Sequence, residues 1–141
     1  MEDTETAGHP APSQLARLQA DAQQGSPLAQ YLLGTFYQLG EVVPRDYAQA
    51  VNWYRRAANQ GLAVAQFALG AAYAHGEGVT EDVVRAHMWL SLSAAHAAQI
   101  TGGQRLTRDV QELRDKVAEK MTPEQLLGAQ QLAQEWTPKH E

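Results

Sequence analysis

The chain of 141 residues is long enough for one domain, and its apolar content of 44% is sufficient for a hydrophobic core. The net charge is −5 and the Lys and Arg residues are scattered singly, so no basic stripe predicts nucleic-acid binding. The absence of cysteine excludes a disulfide framework, a thiolate nucleophile and any cysteine-containing zinc site.

The N-terminal residues 1–12 are acidic, contain two prolines and show no periodicity, so we expect a disordered arm. No apolar stretch reaches the roughly 18 residues that a transmembrane helix requires. An acidic N-terminus without an apolar leader predicts a cytoplasmic protein for the sequence as written. Removal of a signal peptide would instead make the chain periplasmic or secreted.

The middle of the chain repeats itself with a period of 36 residues and no gap. Twelve identities fall within a window of 30 residues, where about two are expected from average composition. A period of this length indicates a helical solenoid. The matched pairs include Gly34 with Gly70, Tyr37 with Tyr73, and Trp53 with Trp89.

Each repeat predicts two antiparallel helices. In the first repeat, residues 26–61, Ser26 is a predicted N-cap and Pro27 occupies the first helical position. Gly40 is placed to end this helix, and Asp46 is placed to cap the second one. The remaining predicted segments are a half-repeat cap at 13–25, the second repeat at 62–98, two C-terminal capping helices within 103–137, and a tail at 138–141.

Two glycines are predicted in the interior of helices, at the same position of each repeat. Glycine there costs about 1 kcal/mol relative to alanine, so its recurrence at Gly34 and Gly70 predicts that another helix approaches closely. We predict that Trp53 and Trp89 are the side chains that pack against these glycines and are largely buried.

The segments AQYLLGTFYQLGE and AQFALGAAYAHGE, with the second helices that follow them, resemble Sel1-like repeats, which are relatives of tetratricopeptide repeats. The resemblance implies an all-α, right-handed α-solenoid of antiparallel helix pairs with about seven helices. It also implies a non-enzymatic adaptor or scaffold that binds a protein or peptide partner on its concave face.

In such stacks the first helices of successive repeats line the concave face. Aromatic side chains beside small and polar neighbours are typical of binding hot spots. Alternatively, Tyr31 and Phe67 pack only between neighbouring first helices. The predicted partner-binding residues are Leu28, Tyr31, Thr35, Gln38, Val64, Phe67, Ala71, Ala74 and His75, with Arg108, Gln111 and Asp115 on the third first-type helix.

No pattern in the sequence predicts a catalytic residue, a metal site or a cofactor. The five histidines lack the spacing that places two ligands on one helix face, and the carboxylate pairs alternate with Arg and Lys on predicted solvated faces. Two alternatives to the adaptor remain. One is a cell-envelope protein, because some cysteine-rich Sel1-like proteins bind β-lactams, and the other is a self-associating structural unit.

Overall fold

The computed structural model describes residues 12–140, and within this range the chain forms seven α-helices and no β-strand. The all-α solenoid prediction is confirmed. The predicted disordered arm lies outside the described residues, except for Pro12, at which the first helix begins. The helices are α1 (Pro12–Gln23), α2 (Pro27–Leu39), α3 (Tyr47–Asn59), α4 (Ala63–His75), α5 (Val83–Ala97), α6 (Gln104–Ala118) and α7 (Pro123–Glu135).

The ends of the repeat helices follow the predicted capping residues. The Ser26 hydroxyl accepts a hydrogen bond from the backbone N–H of Ala29 at 3.2 Å. The Asp46 carboxylate accepts one from the N–H of Gln49 at 3.1 Å, which starts α3. Gly40 ends α2 in the left-handed conformation, with a φ of 71°. These local interactions fix where each helix starts and stops before any packing is considered.

Successive helices pack on one another along the stack, from α1 against α2 to α4 against α5, and α6 and α7 both pack against α5. The larger core joins α3, α4, α5 and α6, and includes the buried Tyr54, Leu69, Leu90 and Val110. A smaller cluster, centred on Leu33, closes the α1 end.

The helix crossing at each repeat depends on the predicted close approach at glycine. A Cβ atom at Gly34 would lie 2.8 Å from a ring carbon of Tyr54, and one at Gly70 would lie 2.9 Å from the side chain of Leu90. Glycine therefore allows α3 and α5 to place a large side chain directly on the backbone of the preceding helix.

The prediction that Trp53 and Trp89 fill these positions is wrong by one residue along the helix. Trp53 is only partly buried and packs against the small cluster around Leu33, with the Arg56 guanidinium 4.7 Å above its ring. Trp89 is buried, and its ring meets that of Trp136 edge-on at 6.4 Å between centroids. Trp53 therefore packs on the small cluster and Trp89 on Trp136, whereas Tyr54 and Leu90 are the side chains that meet the glycines.

A buried glutamine links the first repeat to the half-repeat before it. Gln30 is fully buried, and its amide nitrogen donates a hydrogen bond to the carbonyl oxygen of Ala22 at 3.0 Å. Gln60 donates from its own amide both to the Gln30 side-chain oxygen at 3.0 Å and to the Gly25 carbonyl at 2.9 Å. A buried amide without these partners would be costly, so the bonds fix the spacing of adjacent helices.

The second repeat has an equivalent set of hydrogen bonds, in which His96 takes the place of Gln60. Gln66 is also fully buried and donates to the carbonyl oxygen of Ala58 at 3.2 Å. Its side-chain oxygen lies 2.8 Å from Nδ1 of His96, which stands one period after Gln60. Because the Gln66 oxygen can only accept, the proton of this bond belongs to His96 Nδ1. Burial lowers the pKa of His96.

The C-terminal segment returns along α5 to the end of the first repeat. The Trp136 ring lies 5.4 Å from that of His96, and a Cβ at Gly61 would lie 3.8 Å from the Trp136 ring. The backbone N–H of Lys139 donates to the carbonyl oxygen of Asn59 at 2.7 Å. The described residues of the predicted tail are therefore attached to α3 by a hydrogen bond.

The close approach at Gly70 leads to a stability prediction with a matched control. Gly70→Ala should lower the free energy of unfolding by about 1–3 kcal/mol, because the added methyl group overlaps Leu90 although alanine favours helix. Gly128 is also helical, but a Cβ there meets nothing within 4 Å, so Gly128→Ala should stabilise by up to about 1 kcal/mol. Urea unfolding measures both, and equal changes in the two variants would contradict the close approach.

Candidate functional site

A concave cleft of about 400 Å³ lies between α2 and α4, with α3 at its base. This volume falls within the range of small-ligand and side-chain pockets. The walls combine aromatic rings, alanines and a few polar groups. The concave cleft is lined by Tyr31, Thr35 and Gln38 of α2, Tyr47, Ala50, Val51 and Tyr54 of α3, Val64, Phe67, Ala68, Ala71 and Ala72 of α4, and by Glu77 and Leu106.

Tyr54 organises the α2 wall of the cleft. Its ring packs against Gly34, with its centroid 5.7 Å from that of Tyr31 and the two planes tilted by 37°. Its hydroxyl donates to the side-chain oxygen of Gln38 at 2.6 Å and lies 3.2 Å from Oγ1 of Thr35. These contacts hold three α2 side chains in one arrangement, so the wall is formed before any partner binds.

The Gln38 side chain offers hydrogen-bond donors to the cleft. Its oxygen is occupied by the Tyr54 hydroxyl, while its amide nitrogen has no partner within residues 12–140. Thr35 instead directs its hydroxyl toward the carbonyl oxygen of Tyr31 at 3.0 Å. The cleft therefore presents a fixed amide donor beside aromatic rings, which suits a carbonyl group of a bound chain.

Burial also changes the acidity of the Tyr54 hydroxyl. Removal from water disfavours the phenolate and raises the pKa of Tyr54 to about 12, although the hydrogen bond with Thr35 acts in the opposite direction. The hydroxyl consequently remains a neutral donor throughout the physiological range, and the electrostatic character of the cleft comes from elsewhere.

Among residues 12–140, Glu77 is the one formally charged residue that lines the cleft. It is exposed, in the turn between α4 and α5. Within the part of the chain that the structure describes, its carboxylate has neither an ion-pair nor a hydrogen-bond partner. The described lining of the cleft therefore carries one negative charge.

Six of the predicted partner-binding residues come together in the cleft, and the other residues predicted on α2 and α4 do not line it. Leu28 is exposed at the start of α2, Ala74 is buried in the larger core, and His75 is exposed at the end of α4. Tyr31 and Phe67 pack against the larger core and also line the cleft, and their role in binding stays a prediction. The six are Tyr31, Thr35, Gln38, Val64, Phe67 and Ala71.

The residues predicted on α6 also lie apart from the concave cleft. Arg108 and Gln111 line a separate depression of about 380 Å³ at the junction of α5 and α6. Asp115 is exposed and lies near His87. The pKa of His87 is lowered overall, because burial and the nearby Arg114 outweigh the opposite effect of Asp115. The physical reason is that α6 packs mainly on α5 and only slightly on α4, so the register of the first two repeats is not continued.

Sequence reasoning missed the lining residues of α3, of the turn between α4 and α5 and of α6, and two alanines of α4. They are Tyr47, Ala50, Val51, Tyr54, Ala68, Ala72, Glu77 and Leu106. One signal was available for Tyr54. Ala50, Tyr54 and Ala57 are spaced i, i+4 and i+7, which is the spacing of one helix face, and all three are buried. The prediction relies instead on the neighbouring Trp53, which lies on a different face of α3.

Residues 12–140 contain neither a metal-binding cluster nor a membrane-spanning helix. No group of three or more His, Asp and Glu side chains there is arranged to hold a metal ion. No helix in the same range has both the length and the apolar character needed to cross a bilayer.

Comparison with known proteins identifies the repeats. The family described as Sel1 repeat matches residues 27–62 and 63–97. No curated protein sequence matches the chain.

Solved structures share the fold. The chain is similar to c5321, a protective antigen present in uropathogenic Escherichia coli strains that displays an SLR fold, with 33% identity and a TM-score of 0.74. That match covers 86% of this chain but only 24% of the antigen. It is also similar to a Sel1 repeat protein from Oxalobacter formigenes, with 37% identity, a TM-score of 0.57 and coverage of 65% of this chain and 68% of that one.

The Tyr54 hydroxyl gives a prediction for stability and its pH dependence. Tyr54→Phe removes the bond to Gln38, so the free energy of unfolding at pH 7 should fall by about 1 kcal/mol. In the wild type the folded state holds this proton more tightly than the unfolded chain, so the contribution of Tyr54 is full below pH 10 and is lost as the pH rises toward 12. The variant should lose less stability over that interval.

The matched control is Tyr47→Phe, because Tyr47 lines the same cleft but is 37% exposed. Denaturant unfolding at pH 7 and at two alkaline pH values compares the three proteins. Identical alkaline loss in the wild type and in Tyr54→Phe would show that the hydroxyl is not held as described.

Proposed function

Because the chain belongs to the Sel1 repeat family, we propose that it is a non-enzymatic interaction module that binds a protein or peptide partner in the concave cleft. Sel1 repeats are typically protein-interaction modules. The observation that carries the proposal is the cleft itself, in which two repeats place Tyr31 and Phe67 at the same position on opposite walls.

The composition of the cleft supports recognition of an extended or helical segment. Aromatic rings provide a large apolar contact area at a small entropic cost, and such residues dominate binding energy at interfaces. The alanines at Ala68 and Ala71 leave room beside Phe67, while the Gln38 amide can bond to a partner carbonyl. A volume of about 400 Å³ suits one or two side chains of a partner rather than a whole domain.

The chemistry of the lining residues supports binding rather than catalysis. In the described part of the chain, Glu77 is the only carboxylate that lines the cleft, where it is exposed, and no histidine lines it. Thr35, the one aliphatic hydroxyl, is directed to a backbone carbonyl and lacks a neighbouring base. An acid–base or nucleophilic mechanism needs a group with a suitably shifted pKa beside the reacting atom.

A peptide-display selection against the immobilised chain would supply ligands without knowledge of the natural partner. For the selected peptides, the double variant Tyr31→Ala/Phe67→Ala should bind about 30-fold more weakly, which corresponds to about 2 kcal/mol. The loss follows from removal of both aromatic walls. Fluorescence anisotropy with labelled peptides measures the affinity.

The control for this test is Leu127→Ala, which truncates an exposed apolar side chain on α7, outside the cleft. Circular dichroism must show unchanged helix content in all variants. Full affinity in a folded double variant would contradict the proposal. Loss of affinity in Leu127→Ala alone would move the site to α7.

A further inference from the structure

We propose that the concave cleft selects an arginine side chain of the partner, whose stem lies among the aromatic rings and whose guanidinium group meets Glu77. This inference rests on the proposed function and specifies its ligand chemistry. Three observations on the described residues carry it: the lining is aromatic, the Glu77 carboxylate has no partner, and no Lys or Arg lines the cleft.

The aromatic rings provide the first part of the recognition. Tyr31, Tyr47, Tyr54 and Phe67 all line one cleft. The face of an aromatic ring is electrically negative and attracts a cation within about 6 Å of its centre. Apolar atoms of Val51, Ala68 and Ala71 line the same space and suit the aliphatic stem of a long cationic side chain.

The charge of the cleft provides the second part. Glu77 has no partner among the described residues, and every other lining residue is formally neutral. A purely apolar ligand would cover the mouth and leave this carboxylate without a counter-charge. A carboxylate and a guanidinium can form two parallel hydrogen bonds, which adds directional preference to the charge attraction.

The position of Glu77 is fixed by its neighbour in the turn. Gly78 has a positive φ of 75°, and a Cβ there would lie 2.6 Å from the carbonyl carbon of Tyr47. The turn therefore rests directly on the start of α3. Glu77 is consequently held at the Tyr47 side of the cleft mouth, rather than on a loop that extends into solvent.

The chain already uses guanidinium–aromatic contacts at two places. Arg56 lies 4.7 Å above the Trp53 ring, and Arg45 lies 5.8 Å from the centre of the Tyr47 ring. The Arg45 contact involves the Tyr47 ring and not the rings of Tyr31 and Phe67, which are only partly buried. Arginine suits such sites better than lysine, because its planar group stacks on a ring and is less strongly hydrated.

Short peptides test the preference directly. The probes are acetylated, amidated Gly-Arg-Gly, with citrulline, lysine or leucine replacing the arginine in three further peptides. Citrulline keeps the shape of arginine and removes its charge. Titration into the ¹⁵N-labelled full chain, followed by NMR, should show the backbone signals of Tyr31, Phe67 and Glu77 shifting, with arginine bound roughly threefold or more tighter than citrulline.

The repeat supplies a matched control for the charge. Glu41 occupies the same position as Glu77 one period earlier, but it does not line the cleft. Glu77→Gln should reduce the preference for arginine over citrulline to the part that the aromatic rings provide. Glu41→Gln should leave the preference unchanged, and added salt should weaken arginine binding in the wild type but not leucine binding.

The outcomes separate this inference from the proposed function. Equal affinity for arginine and citrulline, tighter binding of leucine, or a preference that is unchanged in Glu77→Gln would overturn the arginine site while leaving a peptide-binding cleft intact. Lysine bound as tightly as arginine would overturn the role of the planar guanidinium. Binding of no probe to the cleft signals would count against both proposals.

Discussion

The close contact between Gly34 and the ring of Tyr54 is the interaction on which the candidate site depends. Only a residue without a side chain lets that ring lie on the backbone of α2, where its hydroxyl reaches Gln38 and its face meets Tyr31. At the equivalent position of the second repeat, Leu90 lies on Gly70 and brings no hydroxyl. The same helix crossing therefore serves stability in both repeats and forms a polar, aromatic wall in only one.

Buried amides hold the spacing between the layers. Gln30 and Gln66 each bond across the turn to a backbone carbonyl, and Gln60 and His96 complete the two sets. A shift of one layer against the next would leave these groups without partners in the core, at a cost of roughly 1–3 kcal/mol each. The distance between α2 and α4, and hence the width of the concave cleft, follows from this constraint.

The sequence predicted the helices well because caps and periodicity are local signals, as the agreement at Ser26, Asp46 and Gly40 shows. It predicted the glycine contacts but assigned them to Trp53 instead of Tyr54, because adjacent residues on one helix differ in direction by about 100° and the crossing angle is not local. The prediction of Arg108 and Gln111 as partner-binding residues extends the repeat beyond the turn at 102–103. After that turn α6 packs mainly on α5, so these two residues line a separate depression.

The most direct test of the central claim is to give the first repeat the side chain that the second repeat has at this position. In Tyr54→Leu, a leucine would lie on Gly34 as Leu90 lies on Gly70, so the variant should fold with unchanged helix content, and its melting temperature should fall further than that of Tyr54→Phe. Binding of a display-selected peptide, measured on the same sample by fluorescence anisotropy, should weaken at least tenfold because the wall loses its ring and hydroxyl. A folded variant that binds the peptide with unchanged affinity would contradict the account.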